Sequence, residues 1–192
     1  GHPRLRPDDQ PELRDQIHDQ LAIGPERLRE PLPPPRDPEL TFRQDVEREL
    51  TVDVALRWTN SYDSEMRSFV NVIATPKGGT HVAGFESALT KTFNDVMRAT
   101  KALKVNDDNV IKDDVTEGMT AVVTVRLAEP QFEGQTKEIL GTPAVRSVVG
   151  KVVARELKSF LTSTKRAQKE QAKGVMEKVY AASKTRLAAR QQ

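Results

Sequence analysis

A short polar run carries the side chains in this chain that are best suited to bind an anion. Residues 131–137 read QFEGQTK and follow an alternating apolar segment and a Glu-Pro breaker, so the sequence predicts a loop between two rigid elements. Gly134 permits a turn, Gln135 offers an amide donor, and Lys137 offers a compact ammonium with three donors. A charge-assisted hydrogen bond is worth about 1.5–3 kcal/mol, which suits a phosphate, although an exposed loop without a ligand has the same composition.

A glycine-rich turn, residues 75–81 with the sequence TPKGGTH, precedes a helical segment. Gly78 and Gly79 permit backbone angles closed to other residues, and Thr80 can cap the helix by accepting a hydrogen bond from a free amide. Such a turn can bind an anion, but its spacing is neither that of a P-loop nor that of a dinucleotide fingerprint, which favours a structural role. His81 has no partner residue at metal-ligand spacing, so we predict a role at the helix entry and no metal site.

The sequence contains no recognisable catalytic constellation. It has no activated nucleophile pattern, no paired carboxylates with an obvious cleft and no Walker motif. The absence of cysteine excludes disulfides, thiolate metal sites and cysteine nucleophiles. No apolar run approaches the roughly 18 residues of a membrane span and no signal peptide is recognisable, so we expect a soluble, cytoplasmic protein without a membrane partner.

Charge is distributed unevenly along the chain, although the formal net charge is only +2. From residue 155 onward the acidic residues are Glu156, Glu170 and Glu177. The basic residues of the same section are Arg155, Lys158, Lys165, Arg166, Lys169, Lys173, Lys178, Lys184, Arg186 and Arg190. Such a section is attracted to a polyanion, and it is equally typical of a solvated helix face.

Three segments are predicted to be strands that support the two polar runs. Residues 51–58 alternate apolar and polar side chains, residues 66–74 are rich in β-branched and aromatic residues, and residues 120–127 are apolar on both faces. We predict that the first two segments form an antiparallel hairpin. The third, which leads into the QFEGQTK run, is predicted to be an interior strand.

Helical periodicity follows each polar run. Residues 82–103 carry an apolar stripe that would cover the sheet, and Asp113 is predicted to cap a single helical turn that ends at a glycine. Thr142-Pro143 is a favourable start for the next helix. Residues 165–190 would extend about 39 Å if they form one continuous helix.

These elements predict an α+β fold, a mostly antiparallel sheet with helices on one face and a long C-terminal helix. We divide the 192 residues into three parts. Residues 1–45 form a proline-rich segment that starts with a possible tag remnant, Gly1-His2. Residues 46–162 form the core, and residues 163–192 the terminal helix.

Three stretches of the sequence carry a resemblance to a known family. They are RSFVNVIATPKGGTHVAGFESALTKTFND at 67–95, DDVTEGMTAVVTVRLAEPQFEGQTKEILGTPAVRSVV at 113–149 and KGVMEKVYAASKTRLAAR at 173–190. Together they resemble the transducer domain of the ATPase subunit of bacterial type IIA DNA topoisomerases, GyrB of DNA gyrase or ParE of topoisomerase IV. The pairing of GGTH with EGQTK is the most specific part. The resemblance implies a transducer fold similar to the second domain of a small-subunit ribosomal protein, whereas residues 1–45 depart from the family's usual entry into this domain.

The resemblance assigns a ligand to the QFEGQTK run. It implies that Gln135 and Lys137 contact the terminal phosphate of ATP, while Gly134 and Thr136 set the geometry of the loop. The ATP and its Mg²⁺ would be held mainly by an adjoining GHKL domain that this chain lacks.

The resemblance also implies partners. Lys91, at a position where the family usually has arginine, and Arg98 would face a cavity for DNA, whereas Glu86 replaces an arginine that is frequent in the family. The parent would be a dimeric, ATP-hydrolysing topoisomerase with a TOPRIM domain and a DNA-cleaving A-type subunit, GyrA or ParC. This chain alone is predicted to be inactive. Two alternatives are a stand-alone nucleic-acid-binding module that uses the basic terminal helix, and a protein-interaction module whose partner docks on the proline-rich start.

Overall fold

The computed structural model describes residues 37–46 and 50–191. Most of the proline-rich segment therefore lies outside the described residues, and so does any partner site on it. The strands are β1 (Glu39–Val46), β2 (Leu50–Trp58), β3 (Glu65–Val70), β4 (Ile73–Ala74), β5 (Met119–Arg126), β6 (Phe132–Glu133) and β7 (Ile139–Leu140). The helices are α1 (Thr80–Ala99), α2 (Lys112–Thr116), α3 (Pro143–Leu161) and α4 (Arg166–Arg190).

The main sheet has five strands in the order β1-β2-β5-β3-β4. All neighbours are antiparallel except β3 and β5, which run parallel, so the sheet is mixed but mostly antiparallel. The α+β prediction is confirmed. The prediction that residues 120–127 form an interior strand is confirmed as well, since β5 lies at the centre with Val122 and Val123 both buried.

The predicted hairpin between the first two strands is wrong. β2 and β3 point in opposite directions, but β5 lies between them and pairs with both, through Val54↔Val123 on one side and Ser68↔Val123 on the other. Alternation identifies a strand without identifying its neighbour, and β5, which is apolar on both faces, takes the central position of the five.

The first strand, β1, was missed by the sequence analysis. It pairs antiparallel with β2 along its full length, and Phe42 is its buried core residue. Leu40 and Phe42 alternate with Thr41 and Arg43, but the neighbouring prolines and the polar composition masked this short period. The sheet therefore begins seven residues before Val46, where the sequence analysis placed the core.

One face of the sheet packs against α1 and α3. Phe85, Leu89 and Phe93 of α1 join the buried β2 and β5 side chains in a single apolar cluster, to which α3 contributes Val149 and Leu157. The helices approach closely at Gly84, where a Cβ atom would collide with the carbonyl of Arg146. Burial of this one helix-covered face explains the alternating pattern of β2.

Two predicted helix caps are wrong. Thr80 is already the first residue of α1, and its hydroxyl donates to the carbonyl of Thr142 over 2.8 Å instead of capping. At α2, the cap position is Ile111, and the carboxylate that accepts its N–H is Asp114, at 2.9 Å, rather than Asp113. Sequence identified the turns correctly, but which oxygen reaches a free amide depends on the local path of the chain. Pro143 does begin α3, as predicted.

The terminal helix α4 is continuous over 25 residues. Its buried residues are Ala172, Val175, Val179, Ala182 and Ser183, whereas residues 164–170 are exposed. This narrow stripe confirms the long C-terminal helix and shows that only its middle section packs on the apolar core. Within the part of the chain that the structure describes, no helix is both long and apolar enough to span a membrane.

Candidate functional site

The QFEGQTK run forms one strand and the tip of a short hairpin, so the predicted loop is present but lies between β6 and β7, two strands that the sequence did not indicate. β6 and β7 pair antiparallel through Phe132↔Leu140 and Glu133↔Ile139. The tip turns at Gly134, with φ 80°, and again at Lys137, with φ 55°. A lysine in the left-handed region is uncommon, so the backbone at this position is fixed by the turn and not by residue preference.

The side chains at the tip are exposed. Gln135, Thr136 and Lys137 all face solvent, and no described residue pairs with the Gln135 amide or makes a salt bridge to the Lys137 ammonium. The Lys137 Nζ atom lies 5.9 Å from the centre of the Phe132 ring, a weak cation–π contact. The Thr136 hydroxyl donates to Glu138 over 3.1 Å. Among the described residues, the amide and the ammonium are therefore presented without a salt-bridge or amide hydrogen-bond partner.

The hairpin is tied to the glycine-rich turn by Lys77 and Glu138. The Lys77 Nζ atom lies 2.7 Å from the Glu138 carboxylate, and the Lys77 N–H donates to the Glu138 carbonyl over 3.2 Å. Two hydrogen bonds lower the pKa of Glu138, of which the one from Lys77 has the larger effect and the one from Thr136 the smaller. The two motifs, 56 residues apart between Gly78 and Gly134, are thus one structural unit.

Backbone contacts also join the two motifs beside this ion pair. The Leu140 N–H donates to the Gly78 carbonyl over 3.1 Å, and Gly79, with φ 137°, forms a parallel bridge with Leu140. A Cβ atom on Gly79 would collide with the Leu140 backbone. Gly79 is therefore required both by its backbone angle and by the close approach of the two segments.

The start of α3 closes the same unit. The Thr142 hydroxyl accepts the Gln131 N–H over 2.9 Å, and the Gly141 N–H donates to the Gln131 carbonyl over 2.7 Å. The Thr80 hydroxyl at the start of α1 also donates to the Thr142 carbonyl. The N-termini of α1 and α3 therefore both lie at the base of the hairpin. The tip is consequently held on a frame made of two helix N-termini.

His81 is completely buried beneath this frame. Its Nε2 atom lies 3.1 Å from the Thr75 hydroxyl, which in turn bonds Ser68. Burial lowers the pKa of His81 from 6.5 to about 4, so the ring is neutral near pH 7. The described residues contain no cluster of three His, Cys, Asp or Glu side chains that could hold a metal ion. The geometry of His81 is that of a packed residue at the helix entry.

Lys91 and Arg98 have different surroundings. Arg98 is engaged by the following loop, since its guanidinium donates to Asn109 over 2.6 Å and to the carbonyls of Lys104 and Asp107. Lys91 is exposed and pairs only with Asp95, at 2.6 Å, beside a shallow groove of about 480 Å³ between α1 and α3. The groove also exposes Arg146 and Lys151, two cations that the sequence analysis did not single out. Glu86, which stands where the resembling family often has arginine, pairs with Lys112 over 3.6 Å.

Three basic residues of α4 are engaged inside the domain. Lys178 pairs with Glu117 at 3.8 Å, Lys184 with Asp107 at 2.7 Å, and Arg186 makes two hydrogen bonds to Asp114 at 2.8 and 2.9 Å. These three cations are engaged within the domain, whereas Lys165, Lys169 and Arg190 of the same section are exposed, so the nucleic-acid-binding alternative stays a prediction. The available signal was the acidic segment 107–117, whose charge is opposite to that of the helix.

Comparisons with known proteins agree with this arrangement. A family model described as DNA gyrase B matches residues 20–192. The B subunit of DNA gyrase from Enterococcus faecalis is 40% identical over 153 residues, which cover 80% of this chain and 23% of that protein. The Streptomyces coelicolor protein of the same name is 46% identical over 118 residues, 62% of this chain and 17% of that protein. The chain thus spans about a quarter or less of the length of these relatives.

Solved structures give the same result. The 43K ATPase domain of Thermus thermophilus gyrase B, in complex with an aminocoumarin, has a TM-score of 0.72 at 31% identity. The match covers 92% of this chain and 44% of the Thermus thermophilus chain. The topoisomerase IV ATP-binding domain of Francisella tularensis, in complex with an inhibitor, has a TM-score of 0.64 at 26% identity, over 77% of this chain and 40% of its own. With the GGTH turn and the EGQTK hairpin joined in one unit, the chain belongs to the DNA gyrase B family of type IIA topoisomerases.

Proposed function

We propose that this chain is the transducer region of the ATPase subunit of a type IIA topoisomerase, with residues 46–162 as its core and residues 163–192 leading toward a TOPRIM domain. Its task is to sense the nucleotide in an adjoining GHKL domain and to convey that state to the parts that handle DNA. The observation that carries the proposal is the hairpin tip, where Gln135 and Lys137 lack partners within the described domain while the base is fixed to α1 and α3.

The tip would act as a phosphate sensor. Lys137 and Gln135 would donate hydrogen bonds to the terminal phosphate of ATP, which carries a charge that is absent after hydrolysis and release. Only the state with that phosphate would hold the tip, so the nucleotide shifts the domain between two positions. ATP and Mg²⁺ would be held mainly by the GHKL domain, and Gly134 and Thr136 would keep the two donors in position.

The whole protein would be a dimeric, ATP-hydrolysing topoisomerase that works on DNA with a DNA-cleaving A-type subunit. Exposed cations support a DNA-facing surface at the groove between α1 and α3, where Lys91 lies near Arg146 and Lys151. Arg98 would contribute indirectly, because its guanidinium is engaged by the loop 104–109. Without the adjoining domains, this chain would neither hydrolyse ATP nor cleave DNA.

The test is Lys137→Ala in the parent enzyme, beside Gln135→Ala and a matched control, Lys169→Ala, which removes an exposed lysine of α4. Loss of a charge-assisted hydrogen bond should lower ATP turnover and strand passage by roughly 10- to 100-fold, with ATP affinity nearly unchanged. Nucleotide binding by fluorescence, ATP hydrolysis and DNA supercoil relaxation measure the three quantities. Unchanged strand passage in Lys137→Ala would refute the proposed sensor.

A further inference from the structure

We propose that the ion pairs Asp107–Lys184 and Asp114–Arg186 form a joint through which movement of the hairpin reaches α4. The four side chains would be positioning residues in the coupling, and this inference rests on the proposed function. Without the joint, the nucleotide would still move the domain, but the end of α4 would not follow it.

The joint is built around a buried carboxylate. The Asp114 side chain is 2% exposed, and Nε and Nη2 of Arg186 donate to its two oxygens at 2.8 and 2.9 Å. One of those oxygens also accepts the Ile111 N–H at 2.9 Å. This fork fixes both distance and direction, because a planar guanidinium matches a carboxylate in one relative orientation.

The second pair holds the same turn of the helix, two residues before Arg186. The Lys184 ammonium lies 2.7 Å from Asp107 and 5.0 Å from the centre of the Tyr180 ring. Asp107 is itself held, since its carboxylate accepts the Lys104 N–H over 2.9 Å. Lys184 therefore anchors α4 to a loop that already has a defined shape, and Arg186 anchors it to α2, which follows that loop.

That loop is fastened to α1. The Asn94 side chain donates to the Val110 carbonyl and accepts the Val110 N–H, both over 2.9 Å. Arg98, one helical turn further along, holds Asn109 and two loop carbonyls. Since α1 extends over 20 residues, about 30 Å, it connects this loop to the glycine-rich turn at its other end.

A continuous set of contacts thus joins the hairpin to the end of α4. The hairpin is bonded to Gly78 and Gly79 at the start of α1, the second half of α1 holds the loop, and the loop holds α4. The buried residues of α4 end at Ser183, and Arg186 and Leu187 beyond it are half-buried. Beyond that point Lys184 and Arg186 bind the helix to Asp107 and Asp114, so loss of these two ion pairs should loosen the last two turns while the domain stays folded.

Movement of the free end can be measured directly. Removing both pairs, with Asp107→Ala and Lys184→Ala plus Asp114→Ala and Arg186→Ala, leaves no unpaired buried charge. We expect amide hydrogen exchange at residues 184–190 to become at least about tenfold faster, while residues 172–183 stay protected. The control is Lys173→Ala, which removes a cation whose described partner, Glu177, lies on the same helix.

Coupling is tested in the full parent enzyme. The pair-deleted variants should hydrolyse ATP at the normal rate but consume about tenfold more ATP for each strand passage, and Lys173→Ala should not. Lys184→Ala, Asp107→Ala and their double variant should each lose the same amount of coupling, since they break one contact. A purely structural role would lower hydrolysis and passage together.

The outcomes separate the two proposals. If Lys137→Ala leaves strand passage intact, the phosphate sensor is wrong and the joint has no signal to carry. If Lys137→Ala impairs passage while the pair-deleted variants keep a normal ATP cost per passage, the sensor stands and the joint is refuted. Should the buried-pair variant unfold, the Asp107–Lys184 cycle, which involves a partly exposed lysine, gives the decision.

Discussion

The hairpin tip and the last turns of α4 both present basic side chains, but they differ in what those side chains contact. Lys137 has the Phe132 ring at 5.9 Å and no described carboxylate partner. Lys184 and Arg186 are bound at 2.7 and 2.8 Å to Asp107 and Asp114. The two regions differ in whether the described part of the domain already supplies a carboxylate partner for the cation.

This difference cannot be obtained by counting charges. In the sequence, the terminal helix is the more basic region, whereas the hairpin holds a single lysine beside Glu133 and Glu138. In the structure, three cations of α4 are paired with acids that lie more than 60 residues earlier in the chain, which their position in the sequence does not reveal. Removing charges from each region in turn tests this difference between them.

The largest effect is expected at the buried carboxylate. Asp114→Ala should lower the free energy of unfolding by about 3 kcal/mol, because it leaves the mostly buried Arg186 guanidinium without its fork partner. Chemical denaturation measures the change. The control is Asp113→Ala at the exposed neighbouring position, where the change should stay below about 0.5 kcal/mol. Equal effects would mean that the pair does not hold α4.

The free energy of unfolding should fall in acid because of His81, which is buried at the base of the hairpin. The pKa of His81 is about 4 in the folded chain and 6.5 without burial, so as the pH falls the unfolded chain binds the proton first. The free energy of unfolding should therefore be about 2 kcal/mol lower at pH 5 than at pH 7. Carboxylates with lowered pKa values, Asp107 and Glu138, lose their contribution only at lower pH.

The control for this pH dependence is His81→Gln, which removes the titrating ring but keeps a polar side chain of similar length. Its stability should change little between pH 7 and pH 5. A slope equal to that of the unmodified chain would assign the effect to other groups and contradict the burial argument.

A smaller effect is expected where the hairpin meets the glycine-rich turn. Lys77→Ala removes the main cause of the low Glu138 pKa, so that pKa should rise toward its ordinary value. Nuclear magnetic resonance titration of the Glu138 carboxyl measures it, and Lys91→Ala, whose partner is Asp95, is the control. Because this pair is exposed and its backbone bonds remain, thermal stability should hardly change.

The smallest effect on stability is expected at the tip itself. Lys137→Ala should change the free energy of unfolding by less than about 0.5 kcal/mol, since no described residue forms a salt bridge with it. Combined with a strong loss of coupling in the parent enzyme, that result would separate binding from folding. A loss comparable to that of Asp114→Ala would show that the tip supports the fold after all.

Local pattern predicted a large part of this molecule. The alternation of β2, the two-faced apolar character of β5, the apolar stripe of α1 and Pro143 at the start of α3 all correspond to observed elements. Each depends on residues close in sequence, where periodicity and backbone restriction act directly. The same is true of the glycines of the TPKGGTH turn, whose positive φ angles the sequence already indicated.

What sequence could not predict depends on contacts between distant segments. The insertion of β5 between β2 and β3, the diversion of Thr80 from a cap to Thr142, and the pairing of Arg186 with Asp114 each join residues far apart in the chain. The candidate site shows the same division. Its residues were recognisable in the linear sequence, but their attachment to one frame through Lys77 and Leu140 required the folded arrangement.

Trp58, the single tryptophan of this chain, occupies a useful place. Its indole N–H donates to the carbonyl of Val115 over 2.9 Å, and its ring meets the edge of Phe93 at 5.8 Å. Val115 directly follows the carboxylate that receives Arg186. The indole of Trp58 is therefore an intrinsic fluorophore between α1 and the segment that binds the terminal helix. Its emission should change, without any added dye, when α1 and that segment separate.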